Sequence, residues 1–161
     1  MPVVSALRVT LRRWLIRGLS KTHLVVYRLS RGRFLSRVAG MPVLLLTTTG
    51  RRSGKPRTTP LTFFRDGADF VLIASNGGAD RPPDWSLNLR QNPRAVVKIG
   101  TDELTVQART ASAEERERLW VGITATYSGY ARYQKKTVRQ IPVLILTPAG
   151  GPGRGRSRLA G

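Results

Sequence analysis

The chain contains no cysteine and a single histidine, His23, among its 161 residues. The lack of cysteine excludes disulfide scaffolds, thiolate catalysis and cysteine-based zinc sites. One histidine also excludes multi-histidine metal sites and leaves a single candidate for a histidine-dependent triad. His23 precedes an apolar run in a predicted helix, which favours a structural role. The sequence therefore predicts no metal site and indicates that a bound cofactor supplies the chemistry.

Acidic residues are missing from the first part of the chain. None precedes Asp66, whereas 14 of the 28 lysines and arginines lie in the first 65 residues. The net charge of +19 suggests an anionic partner, and the sign of the charge is compatible with nucleic acid, lipid headgroups or an anionic small molecule. The alternative is that the surface is basic only for solubility. Only 7% of the residues are aromatic, so the stacking platforms of single-strand binders are sparse. No specific nucleic-acid partner is expected.

Long hydrophobic runs are absent as well. The longest, residues 42–46, is far shorter than the roughly 20 residues that cross a membrane. Residues 3–30 are predicted to form a basic amphipathic helix, because apolar residues such as Leu7 and Leu11 recur at helical spacing among arginines. This helix either packs on its own domain or rests on an anionic membrane surface. Since no secretory signal fits, the predicted location is the cytoplasm, with peripheral association to the inner face of the cell membrane left open.

The rest of the chain alternates short strands with turn signals. Six strands are predicted, at residues 43–48, 58–64, 69–74, 95–99, 104–108 and 141–146. Two helices are predicted among them: residues 84–91, and a helix that begins with a capping box of Ser112 and Glu115 and ends near residue 125. Because strand–helix–strand alternation is lacking, the pattern predicts a small α+β barrel and not a doubly wound sheet.

The chain length suits one hydrophobic core. Residues 40–148 are predicted to form the barrel domain, preceded by the basic helical segment 1–39. Residues 149–161 are rich in glycine, proline and arginine and are predicted to be a disordered tail.

The densest candidate site is the connection between the first two predicted strands, TTTGRRSGKPRT at residues 47–58. Two glycines let backbone amides turn inward and form an anion-binding concavity, with four cations around it. Gly50 to Lys55 is one residue too short for a phosphate-binding P-loop, and Pro56 stands where that loop has serine or threonine. The alternative is a basic hairpin turn exposed to solvent.

Two further segments have the composition of a ligand site. ASNGG at residues 74–78 follows a strand, and its glycines allow a planar ligand close to the backbone. The tyrosines at 127, 130 and 133 are spaced so that they share one side of a helix. They either border a cleft, where phenols are donors near neutral pH, or form a packing stripe.

Taken together, these segments resemble the deazaflavin-dependent nitroreductase and F-420H2-dependent quinone reductase family. The similarity runs from about residue 40 to 148 through TTTGRRSGKPRTTPL, ASNGGADRPPDWSLNLRQNP, and YSGYARY with RQIPV. The resemblance implies a mainly antiparallel split β-barrel, similar to FMN-binding split barrels, with an N-terminal helix and interspersed helices. It implies coenzyme F-420, an 8-hydroxy-5-deazaflavin, as cofactor. The implied reaction is hydride transfer from the reduced cofactor to a quinone or a nitroaromatic compound.

The resemblance also implies which residues form the site. The hairpin holds the cofactor phosphate and part of its oligoglutamate tail, the strand end lies beside the deazaflavin, and the tyrosines lie near the ring and the acceptor. The implied cofactor-binding residues are Arg51, Arg52, Ser53, Gly54, Lys55, Arg57, Thr58, Thr59, Ile73, Ala74, Ser75, Asn76, Asp84, Trp85, Ser86, Leu87, Asn88 and Tyr130. The implied substrate residues are Thr62, Tyr127 and Tyr133. Tyr130, Tyr133 and Ser75 are the catalytic candidates, as donors to the acceptor oxygen.

Three positions depart from the family pattern. Thr62 and Ser86 stand where tyrosine is found in relatives, and Asn76 replaces a frequent lysine. These departures leave the preferred acceptor open. The proton donor and the choice between monomer and homodimer are left open by the sequence as well. One alternative function keeps the fold but makes it a carrier of a fatty acid, another lipid or FMN. A less favoured alternative is a basic nucleic-acid-binding module.

Overall fold

A computed structural model describes residues 37–38 and 40–150 of the chain. Within these ranges the strands are β1 (Arg37–Val38), β2 (Met41–Thr49), β3 (Pro56–Thr62), β4 (Phe64–Asp66), β5 (Asp69–Ile73), β6 (Arg94–Ile99), β7 (Asp102–Thr110) and β8 (Val143–Pro148). The helices are α1 (Asp84–Gln91), α2 (Ala113–Thr126) and α3 (Gly129–Lys135), with a short 3₁₀ turn at Asn76–Gly78. The predicted N-terminal helix, His23 and residues 151–161 lie outside the described residues.

The described strands form one curled sheet in which neighbouring strands are antiparallel. Its order is β1-β2-β6-β7-β8-β5-β4, and β3 pairs with the other edge of β2. The pairing of β2 with β3 runs from Val43 opposite Thr62 to Thr49 opposite Pro56. This register places the β2–β3 hairpin at one end of β3 and Thr62 at the other.

Both faces of the sheet are buried at β5 and β8, which explains their nearly continuous apolar sequences. On one face, Phe70 and Leu72 of β5 join the core inside the curl, which Trp85 and Leu89 of α1 also enter. On the other face, a second cluster lies under α2 and α3 and includes Val71, Ile73, Ile123 and Tyr130. The sheet therefore carries α1 at one face and the tyrosine helix at the other.

The α+β class and the mainly antiparallel sheet are confirmed, but the predicted number of six strands is wrong. The expected strand 58–64 is two strands, because Phe63 turns into the core and its backbone N–H donates a hydrogen bond to the Pro42 carbonyl. After Phe63 the chain changes partner from β2 to β5, with Phe64 opposite Val71. The second unpredicted strand is β1, which lies within the predicted segment 1–39 and pairs with the start of β2.

The start of α2 is the capping box that the sequence predicts. The Ser112 hydroxyl accepts from the Glu115 backbone N–H at 3.2 Å, and the Glu115 carboxylate accepts from the Ser112 N–H at 2.9 Å. Arg109 at the end of β7 also donates two hydrogen bonds to Glu115, at 2.6 and 2.7 Å. These hydrogen bonds lower the pKa of Glu115 to about 2, and those from Arg109 have the largest effect.

We expect Glu115→Gln to lower the melting temperature at neutral pH and to make the melting temperature fall less steeply as the pH is lowered. Because the folded pKa lies below the usual 4.5, the carboxylate stabilises the fold above pH 4.5 and loses this effect as pH falls toward 2. Melting temperatures between pH 7 and 2 measure the effect. Glu117→Gln, an exposed change on the same helix, is the control. Equal acid slopes for wild type and Glu115→Gln would contradict the prediction.

None of the helices in the described part of the chain is long and apolar enough to cross a membrane.

Candidate functional site

The β2–β3 hairpin closes through its own backbone. The Gly50 N–H donates to the Lys55 carbonyl at 2.8 Å, and the Gly54 N–H donates to the Gly50 carbonyl at 2.7 Å. A Cβ at Gly50 would lie 2.7 Å from Ser53 Oγ and 3.1 Å from the Lys55 carbonyl, so the loop closes this tightly only with glycine there. This compact turn leaves the basic side chains on its outside.

Three cations of this hairpin have no carboxylate partner in the described part of the chain. Arg52, Lys55 and Arg57 are exposed, and the side chains of Arg52 and Lys55 make no hydrogen bond or ion pair there. Arg57 reaches only Ser53 Oγ, at 3.5 Å. We name these three residues the cation cluster. Its uncompensated charge suits an anionic ligand group such as phosphate or carboxylate.

The fourth hairpin cation, Arg51, instead fastens the loop to α1. Its backbone N–H and its Nη1 both donate to Asn88 Oδ1, at 3.1 and 3.3 Å, and its Nη2 donates to Asp84 at 3.1 Å. The Asn88 amide also donates to Thr48 Oγ1 at 3.0 Å, and both Asn88 and Thr48 are buried. One buried amide thus holds the end of β2, the loop and the helix together.

Asp84 extends this network toward the second predicted segment. Its Oδ1 accepts from Arg51 and, at 2.8 Å, from Arg81. The Arg81 carbonyl accepts from the Asn76 side chain at 2.9 Å. A chain of hydrogen bonds therefore connects the hairpin to the residues that follow β5, across more than 20 positions of sequence.

The predicted residues of α1 divide between its faces. Asp84 and Asn88 are one turn apart and contact the hairpin, whereas Ser86 lies on another side. There, with Leu89, Ser86 lines a cavity of about 190 Å³ between α1 and strands β7 and β8, and its hydroxyl donates to the Pro83 carbonyl. Trp85 is buried in the core inside the curl, which is a packing role. Of the predicted helix residues, Asp84 and Asn88 thus reach the hairpin.

The segment after β5 packs against α3. Asn76, Gly77 and Gly78 all have positive φ, so the chain turns sharply as it leaves the sheet. A Cβ at Gly78 would lie 2.6 Å from the Tyr133 carbonyl, so α3 approaches this closely because residue 78 is glycine. Ser75 is 9% exposed, and its hydroxyl makes no hydrogen bond in the described part of the chain. The structure therefore brings the second and third predicted segments together.

The three tyrosines form a cluster of edge-to-face rings. The ring centroids of Tyr127, Tyr130 and Tyr133 lie 5.4 to 6.4 Å apart, and Phe64 contacts Tyr130. Burial raises the pKa of Tyr130, whose hydroxyl lies 3.0 Å from Thr62 Oγ1. The hydrogen bond with Tyr127 raises the pKa of Tyr133. Tyr130 and Tyr133 are therefore protonated donors at neutral pH.

The tyrosine cluster also explains why residue 129 is glycine. A Cβ at this position would overlap the ring of Tyr127, which lies across the start of α3. α2 ends at Thr126 and α3 begins at Gly129, so Tyr127 precedes the helix that carries the other two tyrosines. The predicted grouping of three rings is present, although only Tyr130 and Tyr133 lie on α3.

Comparison with known proteins adds an independent observation. Residues 19–148 match the F-420H(2)-dependent quinone reductase family. The chain belongs to this family. It is 38% identical over 143 residues to an F-420H(2)-dependent quinone reductase of Mycobacterium tuberculosis, an alignment that covers 84% of this chain and 96% of that protein.

Solved structures agree with the family. The structure of an F-420-H2-dependent reductase, FDR-A, is 40% identical with a TM-score of 0.60, and the match covers 65% of this chain and 93% of that one. A second, described as a domain-swapped dimer, is 36% identical with a TM-score of 0.61, covering 79% and 99%. The predicted split β-barrel is thereby confirmed. This quinone reductase family member is an F-420-dependent oxidoreductase whose cofactor is coenzyme F-420.

The residues of this reductase fit the cofactor that its family uses. The cation cluster offers uncompensated positive charge for a phosphate and a carboxylate tail, and the backbone at residues 74–76 leaves the sheet at the end of β5, just before the turn at Gly77. In the described residues, no group of three or more histidine, aspartate or glutamate side chains is placed to hold a metal ion. The positive charge of the cation cluster suits an organic anion.

Sequence reasoning missed two residues of this reductase. Thr48 binds Asn88 from inside the end of β2, and Arg139 donates to the carbonyls of Ala74, Ser75 and Ala79. Arg139 belongs to the RQIPV motif that carries the resemblance, but no pattern in that motif indicates which backbone its side chain reaches.

Proposed function

We propose that this reductase transfers a hydride from reduced coenzyme F-420 to a quinone, with the cation cluster holding the anionic end of the cofactor. The observation that carries the proposal is the absence of any carboxylate partner for Arg52, Lys55 and Arg57 in the described chain, on a hairpin fastened to α1. Charge-assisted hydrogen bonds contribute about 1.5–3 kcal/mol each. Three such bonds would hold the tail and leave the ring to the backbone at residues 74–76.

The side chains beside that backbone supply what quinone reduction needs from the protein. When bound, reduced coenzyme F-420 supplies the hydride. Conversion of a quinone to a hydroquinone also takes a proton and places negative charge on oxygen, so a nearby donor lowers the barrier. Tyr130, Tyr133 and Ser75 are the proposed donors, because the two phenols are protonated at neutral pH and the serine hydroxyl is unpartnered in the described chain.

The remaining cofactor and substrate contacts are proposed with these roles. Arg51, Asp84 and Asn88 orient the hairpin through their hydrogen bonds to one another. Thr62 holds the hydroxyl of Tyr130 and borders the acceptor. The other proposed cofactor contacts are Ser53, Gly54, Thr58, Thr59, Ile73, Ala74, Asn76, Trp85, Ser86 and Leu87, and Tyr127 is the other proposed acceptor contact.

Three finer points stay predictions. A nitroaromatic compound is the second proposed acceptor class. A relative 36% identical to this chain, described as a domain-swapped dimer, supports a homodimer over a monomer. Cytoplasmic location with association to an anionic membrane surface depends on residues 3–30, which lie outside the described residues.

The direct experiment mixes the purified protein with reduced coenzyme F-420 and menadione and follows the absorbance of the oxidised cofactor. We expect cofactor oxidation at a rate proportional to protein concentration. Tight binding without oxidation, across a panel of quinones and a nitroimidazole, would contradict the catalytic role and favour a carrier. Native mass spectrometry then identifies any lipid or FMN that the purified protein retains.

Tyr133→Phe is expected to lower kcat for the quinone by about tenfold, as expected for one lost donor, while the affinity for coenzyme F-420 stays unchanged. The phenol is removed but the ring and its packing stay. Steady-state kinetics and fluorescence titration of the cofactor measure the two quantities. Tyr127→Phe, which removes the neighbouring hydroxyl, is the comparison and should have a smaller effect. Weaker cofactor binding with unchanged quinone kinetics would show that the acceptor lies elsewhere.

A further inference from the structure

Arg139 connects the segment before β8 to the chain that leaves β5. Its Nε donates to the Ala79 carbonyl at 2.9 Å, and its Nη2 donates to the carbonyls of Ser75 and Ala74 at 2.8 and 3.2 Å. One guanidinium thus binds three carbonyls in a span of six residues. Lysine has a single donor nitrogen, so only the planar fork of arginine matches this arrangement.

The bound segment depends on such contacts from outside the sheet. After Ile73 the chain leaves β5 and turns through three successive residues of positive φ, of which Asn76 is not glycine. Glycine adopts this backbone readily, whereas left-handed backbone at a residue such as Asn76 is favoured by contacts that hold it. Besides Arg139, the contacts in this region include Gly78 against the Tyr133 carbonyl and Thr137 Oγ1 to Asp80 at 3.0 Å. The conformation of this segment is therefore supported by these contacts from the α3 side, together with the Asn76 bond to the Arg81 carbonyl.

The guanidinium is not fully satisfied by these bonds. Its Nη1 is buried and has no hydrogen-bond partner in the described part of the chain. Burial lowers the pKa of Arg139, which Asp80 partly opposes. A buried charged donor without an acceptor is unfavourable for stability. The placement of Arg139 is thus explained by the three carbonyls it holds and not by an optimal site for the arginine itself.

The same stretch of chain also fixes the tyrosine helix. The Gln134 side chain on α3 donates to the Arg139 carbonyl at 2.9 Å and accepts from the Ile141 N–H at 2.9 Å. Arg116 of α2 donates to Gln134 Oε1 and to the Ile141 carbonyl. Arg139 therefore lies in one hydrogen-bonded unit with the residue that follows Tyr133, and its side chain extends this unit to Ala74 and Ser75.

We propose that Arg139 is a positioning residue that sets the backbone at residues 74–76 relative to the tyrosine cluster, and so fixes where the deazaflavin ring lies against the acceptor. This rests on the proposed function, in which that backbone borders the ring. Hydride transfer is sensitive to ångström-scale placement, since a displacement of about 1 Å far from the chemistry can cost roughly 100-fold in rate. Loss of the clamp should therefore affect the ring and leave the anionic tail bound as before.

Comparing two ligands distinguishes an effect on the deazaflavin ring from an effect on the anionic tail. Coenzyme F-420 carries both, whereas 8-hydroxy-5-deazariboflavin carries the ring and ribityl chain without phosphate or glutamate. For Arg139→Lys we expect the affinity for both ligands to fall by the same factor, about tenfold, and kcat to fall at saturating cofactor. Fluorescence titrations and steady-state kinetics measure these changes. Arg57→Ala should weaken only coenzyme F-420, because its charge serves the tail.

Matched variants exclude a merely structural effect. Arg65→Lys changes another arginine that donates to a backbone carbonyl, that of Ala68 in the β4–β5 turn, at the end of β5 opposite to residues 74–79. It should lower the melting temperature without changing the affinity for deazariboflavin. Thr137→Ala removes the contact of the Thr137 hydroxyl with Asp80 and should weaken the binding of both ligands slightly and by the same factor. Because it disturbs the fold less, this variant tests the proposal if Arg139→Lys is unstable. Wild-type affinity for deazariboflavin in Arg139→Lys and Thr137→Ala, or an equal loss in Arg65→Lys, would overturn the proposal. Failure of the wild type to bind either ligand would instead overturn the proposed function.

Discussion

Replacing Asn88 by alanine is expected to lower the free energy of unfolding by about 2–4 kcal/mol and the affinity for coenzyme F-420 by roughly 10- to 100-fold. The amide is buried and binds the backbone and side chain of Arg51 as well as Thr48. Without it, the Arg51 N–H and the buried Thr48 hydroxyl each lose a partner, and nothing else in the described chain holds Arg51 to the middle of α1. The hairpin would remain, but its cations would no longer be held in one orientation.

Asn92→Ala is the control for this change. Asn92 lies just after the same helix and is exposed, and its side chain accepts a single hydrogen bond from the Arg94 N–H. We expect its effect to stay within about 0.5 kcal/mol, with unchanged cofactor affinity. Denaturant unfolding and fluorescence titration measure both quantities at a temperature where each variant is folded. Equal effects of the two substitutions would show that the Asn88 network does not organise the hairpin.

Arg57→Ala is expected to weaken binding of coenzyme F-420 by about 10- to 100-fold, the value of one charge-assisted hydrogen bond, with little change in kcat at saturating cofactor. Arg57 is exposed and has only a 3.5 Å contact with Ser53, so its removal disturbs little of the fold. The loss should shrink at high salt, because exposed charges are screened.

Fluorescence titration at low and high ionic strength measures this prediction. Lys98→Ala removes one exposed positive charge near the end of β6 and controls for the effect of net charge. Its affinity for coenzyme F-420 should match the wild type. Unchanged affinity in Arg57→Ala would show that the cation cluster is only surface charge, and equal losses in both variants would indicate a long-range effect of net charge alone.

Local signals predicted the elements that depend on local chemistry. α1 occupies residues 84–91 as predicted, because Pro83 and Asp84 favour a helix start and Asn92 with Pro93 ends it. The capping box at Ser112 formed for the same reason, since both partners lie within four residues. The boundary at Phe63 was missed, because it depends on which strand the chain pairs with and not on the residues around the break.

The site follows the same division. The cation cluster was visible in the sequence, because its charge and glycines lie within eight consecutive residues. That Arg51 is fastened to Asn88, 37 positions away, was not visible. Arg139 was hidden most completely, since its acceptors are backbone carbonyls at positions 74, 75 and 79, and a carbonyl leaves no signature in the sequence.

By itself, the amino-acid sequence determined which chemistry this protein can use: no thiol, no metal site built from histidines, and a concentrated positive charge for an anionic cofactor. It also determined the family, because residues 19–148 match the F-420H(2)-dependent quinone reductase family. The tertiary structure alone decided which of the cations remain uncompensated and which hold the loop to α1. It also decided how Gly78 comes against the Tyr133 carbonyl, because these contacts join residues tens of positions apart whose proximity follows from strand pairing and packing.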